Sequence, residues 1–364
     1  MRKSFLVRTA AAFLAAVLLY PVDARAISAQ KAILVDGQTG RVLYEKRADD
    51  RSLVASTTKI MTALLVCQQC NVLEQMQIPK EATGIEGSSM YLKAGEVLTV
   101  QELLYGLMLS SGNDAAVALA MHCDGSVEAF VERMNRKAES LGLTGTHFAN
   151  PHGLDAPEHY STARDLAVLA AYAMENPIFA KTVSTKAVHA GGRYLTNHNK
   201  LLWQVEGADG VKTGFTKAAG RILVSSAVQQ GRRLVCVTID DGNDWADHAA
   251  LYRQGFSVFS PQKILSAGQI LGEYAVFGGE QSQVRLYAGE DFSYALAEGE
   301  QVQICFGGRA FVYAPVAANA PAGFAYSLVD GTAVGKVPVY YESTVLRQRT
   351  EKKSLRQRWF GGTQ

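Results

Sequence analysis

Proline is scarce in this chain, nine among 364 residues, and the composition has nothing of a disordered or fibrous segment. With 48% apolar residues there is material for a large core and for two or three domains. No dinucleotide glycine fingerprint, phosphate loop or zinc-ligand cluster occurs, so nucleotide-dependent and zinc chemistry drop out and no cofactor is expected. A Gly-x-Ser-x-Gly elbow is also missing, so His152 and His159 have no triad to join and all seven histidines read as structural or surface residues. Charge of one sign is lacking too: the formal net charge is +2, which gives no reason to expect a nucleic acid partner.

No apolar run reaches the roughly 20 residues that a membrane span needs. The first 26 residues instead open with Arg2, Lys3 and Arg8, run apolar from Ala10 to Leu19 and close on Ala24-Arg25-Ala26, the pattern of a secretory signal peptide with a small-residue cleavage site. Cleavage after Ala26 removes four basic residues and one acid and leaves a formal charge of −1. Cysteine is sparse as well. Five in an exported chain leave at least one unpaired, and Cys67 to Cys70, inside an apolar helical stretch without a second ligand pair, reads as buried thiols rather than a redox or metal motif.

The remaining chain begins with two apolar runs, Ala32 to Asp36 and Arg41 to Glu45, around Gly37-Gln38-Thr39-Gly40, which predicts a hairpin. Residues 57 to 72 are apolar on nearly every side of a helix, hence buried. Further helices are expected at Val100 to Leu109, Asp114 to Cys123, Ser126 to Leu141 and Thr162 to Met174, with a long loop between the last two. Strands follow at Gly210 to Gly214, Ile222 to Gln229 and Arg232 to Asp240, then a helix near Trp245 to Phe259. A domain that begins and ends in strands with helices between can close one sheet from both ends. After Pro261 the chain carries short strand-like runs such as Gln283 to Tyr287, Gln301 to Phe306 and Ala333 to Tyr341, a small all-β module. The boundaries read are 1–26, 27–260, 261–341 and a tail, 342–364. From Arg347 to Arg358 that tail has six basic residues against Glu351, followed by Trp359 and Phe360; it reads either as solvated or as contact with an anionic membrane surface.

Three Ser-x-x-Lys tetrads occur, so the motif alone decides nothing. Ser28 to Lys31 falls at the frayed start of the exported chain and Ser260 to Lys263 contains Pro261, whereas Ser56 opens the long buried helix. Residues three apart share a helix face, which brings the Lys59 amine to the Ser56 hydroxyl. The first-turn N–H groups favour negative charge, so the Ser56 amide can help hold an oxyanion. A lysine serves as a base only with a lowered pKa, from burial and a second cation, and Lys212 in Lys212-Thr213-Gly214 is the candidate. Ser111-Gly112-Asn113 lies in a tight break between two helices, and Ser110, outside its register, reads as a capping residue.

Ser-x-x-Lys, Ser-x-Asn and Lys-Thr-Gly in this order resemble the signature of penicillin-binding proteins and serine β-lactamases. With Asp36 to Gly40 and Asp209 to Thr216, residues 30 to 260 resemble the low-molecular-mass serine-type D-alanyl-D-alanine carboxypeptidases of peptidase family S11, and the module after Pro261 is similar to that family's C-terminal domain. The resemblance implies an α/β (α+β) penicillin-binding/β-lactamase-like fold, an antiparallel sheet flanked by helices. It implies Ser56 as acylated nucleophile, Lys59 as base, Ser111 as proton relay, Asn113 as substrate ligand, Lys212, Thr213 and Gly214 at the terminal carboxylate, and the amides of Ser56 and Phe215 as oxyanion hole. Its partners would be peptidoglycan stem peptides ending in D-Ala-D-Ala, with β-lactams as covalent inhibitors. A class A β-lactamase places a glutamate four residues before a loop asparagine; Asn150 has Thr146 there, which weighs against that relative. A D,D-endopeptidase would use the same residues, and a non-catalytic wall-binding or sensor protein would have no reason to keep the buried charges.

N-terminal sequencing of the exported protein is expected to start at Ile27, and a chain still beginning at Met1 would contradict the export reading.

Overall fold

The computed structural model describes residues 27–349; the signal peptide expected at 1–26 and residues 350–364 of the expected basic tail lie outside the described residues. Strands β1 (Lys31–Asp36) and β2 (Val42–Lys46) form the expected hairpin. Its turn is set by Asp36, whose Oδ1 accepts from the Gln38 and Thr39 amides at 3.1 and 3.0 Å, while Gly40 takes φ +72°. A 3₁₀ turn at Ala55–Thr58 leads into α1 (Lys59–Gln69), so Ser56 sits one turn ahead of the α-helix it was expected to open. After the short ladder β3 (Gln75–Gln77) with β4 (Val97–Thr99) comes α2 (Val100–Leu109), begun by a Thr99/Glu102 capping box and ended at Ser110. Then follow α3 (Asn113–Asp124), α4 (Val127–Ser140), α5 (Ala163–Ala173) and α6 (Pro177–Ser184).

A small ladder, β5 (Ala187–Ala190) with β6 (Arg193–Thr196), and the turn-long α7 (Leu201–Gln204) precede β7 (Ala208–Thr216), β8 (Gly220–Gln229) and β9 (Arg232–Ile239). These join the hairpin as one antiparallel sheet in the order β2-β1-β9-β8-β7, closed from both ends of the segment as its strand pattern required. Side chains alternate across it. Val35, Val224, Val235 and Val237 face the helical core with α1, α2, α3 and α5. Leu34, Leu223, Leu234 and Cys236 face α8 (Asp244–Val258) and α7 through Leu251, Tyr252 and Leu201.

The second unit is all β. β10 (Ser260–Leu265) pairs with β13 (Phe292–Leu296), and Pro261 is tolerated because β10 is an edge strand. β11 (Ile270–Phe277), β12 (Gln283–Ala288), β14 (Val302–Gly308), β15 (Val312–Tyr313), β16 (Pro321–Val329) and β17 (Thr332–Tyr341) make a six-stranded sheet ordered β14-β16-β17-β12-β11-β15 with its own core around Val284, Ala325 and Val339. Arg41 spans the two units, pairing with Glu300, donating to the Ala295 carbonyl and lying over the Phe259 and Tyr294 rings at 4.8 and 5.0 Å.

Two expectations need correction. Cys70 is not a free thiol: it is bridged to Cys123, tying the end of α1 to the end of α3, while Cys67 and Cys236 are buried and unbridged. Nor is Ser28 frayed, since its amide donates to Asp247 at 2.6 Å and its hydroxyl reaches Asp241.

Asp36 also carries the closure of the sheet. Its Oδ2 accepts from Arg232 Nε at 2.7 Å, both side chains are buried, and Arg232 donates onward to the carbonyls of Gly255 and Phe259 at the end of α8. Removing the carboxylate strands a buried guanidinium, which typically costs about 3–5 kcal/mol. Asp36→Ala is therefore expected to lower the unfolding free energy by that order, read by urea denaturation; a change under about 1 kcal/mol would show that water reaches Arg232.

Candidate active site

Three separate pieces of chain meet here. The 3₁₀ turn running into α1 carries Ser56 and Lys59; the α2–α3 break and the first residue of α3 carry Ser111 and Asn113; β7 carries Lys212, Thr213, Gly214 and Phe215. Gly214 makes the approach of β7 possible, because a Cβ there would stand 3.3 Å from the Ser56 amide nitrogen and 3.3 Å from the Ala55 Cβ. From the other side Gly153, at φ +92°, presses so close that a Cβ would stand 1.9 Å from the Ala55 carbonyl oxygen. That loop is shaped by Asn150, whose Oδ1 accepts from the His152 and Gly153 amides. Ala55 and Ser111 are held in the left-handed region, at φ 44° and 60°, at a cost of order 1–3 kcal/mol each.

Lys59 is completely buried and its Nζ has three neighbours: Ser56 Oγ at 2.9 Å, Asn113 Oδ1 at 2.6 Å and the His152 carbonyl at 2.6 Å. Burial, and next the Lys212 charge, hold its amine well below the ordinary lysine range. Lys212 is buried as well, donates to the Thr213 carbonyl at 2.9 Å, has no carboxylate partner among the described residues, and burial lowers its pKa to about 7. Asn113 donates from Nδ2 to the Glu86 carbonyl at 2.6 Å, so its amide is oriented at both ends. Beside it the buried Asp114 accepts from the Met90 and Leu92 amides and the Ser89 hydroxyl, fixing the segment that carries Glu86 and Ser88.

Ser56, Ser111, Thr213, Gly214 and Phe215 line one cleft of about 660 Å³, whose far wall holds Trp203, Arg221 and Trp245. The Ser111 hydroxyl has no hydrogen-bond partner among the described residues. Of the loop histidines, His159 Nε2 meets Thr58 Oγ1 at 2.7 Å, and burial takes the pKa of both His152 and His159 down to about 4, so both are neutral at pH 7. His198 lines the cleft, its pKa lowered by burial and next by the Lys212 charge. Thr146 is engaged with Asp165 and Ser161 and presents no acid.

Sequence reasoning missed the His152 and Glu86 carbonyls, because a backbone oxygen leaves no side-chain signature. Gly153, between His152 and Leu154, was the one available signal. The cleft wall of Trp203, Arg221 and Trp245 was missed too, since these residues are far apart in sequence and belong to no motif.

A family model described as D-alanyl-D-alanine carboxypeptidase matches residues 20–243, and one described as penicillin-binding protein 5, C-terminal domain, matches residues 259–347. The chain is 33% identical to D-alanyl-D-alanine carboxypeptidase DacF of Bacillus subtilis, over 75% of this chain and 74% of that protein. It is 36% identical to DacC of Escherichia coli, over 77% and 74%. The crystal structure of penicillin-binding protein 5 from Haemophilus influenzae superposes with TM-score 0.77 at 32% identity, covering 88% of this chain and 98% of that one.

The Lys212 pKa of about 7, below its ordinary 10.5, fixes a sign for stability. Above about pH 10.5 neither folded nor unfolded amine is charged and burial costs nothing on this account. As pH falls the unfolded chain takes up the proton first, so stability declines until about pH 7 and then levels, by on the order of 5 kcal/mol. Lys212→Met is expected to melt higher than the wild type at pH 7, with the gap closing toward pH 10; equal melting at pH 7 would mean the amine is not desolvated.

Proposed function

The chain belongs to the D-alanyl-D-alanine carboxypeptidase family and is a serine-type D-alanyl-D-alanine carboxypeptidase, and from that premise we propose how its own residues carry the reaction. The observation that carries the proposal is the proton inventory at Lys59. A neutral amine has two hydrogens and one lone pair. Asn113 Oδ1 and the His152 carbonyl can only accept, so they take both hydrogens and the lone pair is left for the third neighbour, the Ser56 hydroxyl at 2.9 Å. Ser56 then donates to Lys59 and is set to lose its proton as it attacks the carbonyl between two D-alanines.

The remaining roles follow from position. The amides of Ser56 and Phe215, brought together by the close packing at Gly214, receive the developing oxyanion. Ser111, with a free hydroxyl in the cleft, passes the proton to the departing amine of D-alanine. Asn113 holds Lys59 through its Oδ1 and takes the substrate amide. Lys212, with no carboxylate of its own, and Thr213 bind the terminal carboxylate of the substrate, and water then releases the shortened stem peptide. β-Lactams present the same carbonyl and carboxylate and acylate Ser56; Thr146 is tied to Asp165 and neither lines the cleft, so neither hastens their release.

Its substrates are peptidoglycan stem peptides ending in D-Ala-D-Ala, which places the enzyme outside the cytoplasmic membrane after removal of residues 1–26. Among the described residues no helix is long and apolar enough to cross a membrane. The catalytic unit is 27–260, the β unit 261–341, and the basic tail 342–364 touches the anionic membrane surface.

A labelled penicillin is expected to mark Ser56 and to fail on Ser56→Ala. Amidating the terminal carboxylate of a D-Ala-D-Ala peptide should cost on the order of 2 kcal/mol, about thirtyfold, in kcat/KM, and the penalty should nearly vanish in Lys212→Ala. Equal turnover of acid and amide by the wild type would sink the assignment of Lys212.

A further inference from the structure

Away from the cleft, two carboxylates are buried against each other where β9 hands over to α8. Asp241 and Asp247 are 0% and 7% exposed, and neither has a cationic partner among the described residues. Both lean on Ser28. Its amide donates to Asp247 Oδ2 at 2.6 Å, and its hydroxyl lies 2.6 Å from Asp241 Oδ1 and 2.9 Å from the same Asp247 Oδ2. Ser28 thus has two hydrogens for three contacts. Asp241 Oδ1 also accepts from the Asn243 amide at 3.0 Å, but Asp241 Oδ2 is buried with no hydrogen-bond partner. Two desolvated carboxylates with an orphaned oxygen are a costly arrangement unless a cation joins them or one of them holds a proton, toward which burial and next the Asp247 charge push Asp241.

The residue before Ser28 is Ile27, the first residue of the exported chain expected from sequence. Its nitrogen is one residue from the Ser28 nitrogen, within about 3.8 Å of it. Ile27 does not fray: its side chain packs against the cluster that includes Leu34, Leu251 and Tyr252, and its carbonyl accepts from Lys46 Nζ at 3.2 Å. Hydrolysis of the Ala26–Ile27 bond consumes one water and leaves a carboxylate on Ala26 and a protonated α-amine on Ile27. We propose that the buried Asp241–Asp247 pair is the docking site for this new α-ammonium group, so that processing supplies the missing countercharge and locks the start of β1 onto α8. An uncleaved or extended chain has a neutral amide at that place. The turn so fastened leads directly into Asp244 and Trp245, which line the catalytic cleft with Arg221.

The linkage has a definite sign. An α-amine beside two carboxylates titrates above its ordinary 7.7–8.0, so its stabilisation is full below about pH 7.7 and is lost as pH rises through the folded value. The other groups facing it are Tyr44 and Lys46 from β2, Cys236 from β9 and His248 from α8; burial keeps His248 neutral, with a pKa of about 3.

The test compares three proteins: one released from a fusion with Ile27 as its true N-terminus, one with Gly-Ser ahead of Ile27, and the first after Nα-acetylation. At pH 7 the free-amine form should melt higher than the other two by about 3 °C or more, with the gap closing by about pH 10. Asp247→Asn, or Asp241→Asn should that variant not fold, should shrink the gap at pH 7. Equal melting of all three proteins at pH 7 overturns the proposal. So does a gap that persists unchanged to pH 10, which would be a steric effect of the added atoms. So does N-terminal sequencing of the exported protein that begins elsewhere than Ile27. Penicillin labelling of Ser56 in all three proteins is read separately, so loss of the carboxypeptidase reading would not be mistaken for loss of this one.

Discussion

Everything at the site depends on keeping one amine dry. Lys59 has no exposed surface, and its Nζ is caged by an amide oxygen, a backbone carbonyl and the nucleophile. Desolvation of this degree turns a lysine from a cation into a base, and the nearby Lys212 pushes in the same direction. The cost is met by the surroundings. α1 is buried from Lys59 through Cys67, a span of core that no surface helix could offer, and the sheet face of Val35, Val224 and Val235 closes behind it.

A dry cage also needs tight walls, and these come from backbone rather than side chains. Gly214 lets β7 lie against the nucleophile turn, Gly153 lets the loop carrying the His152 carbonyl do the same from the opposite side, and Asp114 pins the segment that orients Asn113. Ala55 and Ser111 pay in left-handed backbone for standing where they do. Of the eight non-glycine residues with positive φ among the described residues, these two stand next to or opposite the reacting hydroxyl.

The parts that were readable from sequence are those encoded locally. Val100–Leu109 was found to the residue from its helical apolar pattern, and the Ser56–Lys59 contact followed from their three-residue spacing. The hairpin at Asp36 was announced by its turn residues, but the role of Asp36 as partner of Arg232, 196 residues on, was not. The same distance problem hid the Cys70–Cys123 bridge, whose members are 53 residues apart and are brought together only when α1 packs on α3. α6 and the β5–β6 ladder were missed because four to eight residues give too little periodicity to read. The 3₁₀ turn at Ser56 could not be told from the first turn of α1, as both place residues three apart on one face.

Buried charge is used in two opposite ways in this domain. At the cleft the Lys212 ammonium stands beside the neutral amine of Lys59 with no carboxylate partner among the described residues, which leaves the site short of one anion until a substrate brings it. At the junction of β9 and α8 two carboxylates stand together short of one cation. Each deficit is tolerable because the same core supports both: β8 carries Arg221 toward the cleft on its pairing with Phe215 and hands the Arg221 carbonyl to the Asp241 amide at 3.0 Å. One strand therefore connects the two unbalanced places. Filling either deficit adds stability to the shared sheet, so substrate carboxylate and chain terminus act on the same fold from opposite signs of charge.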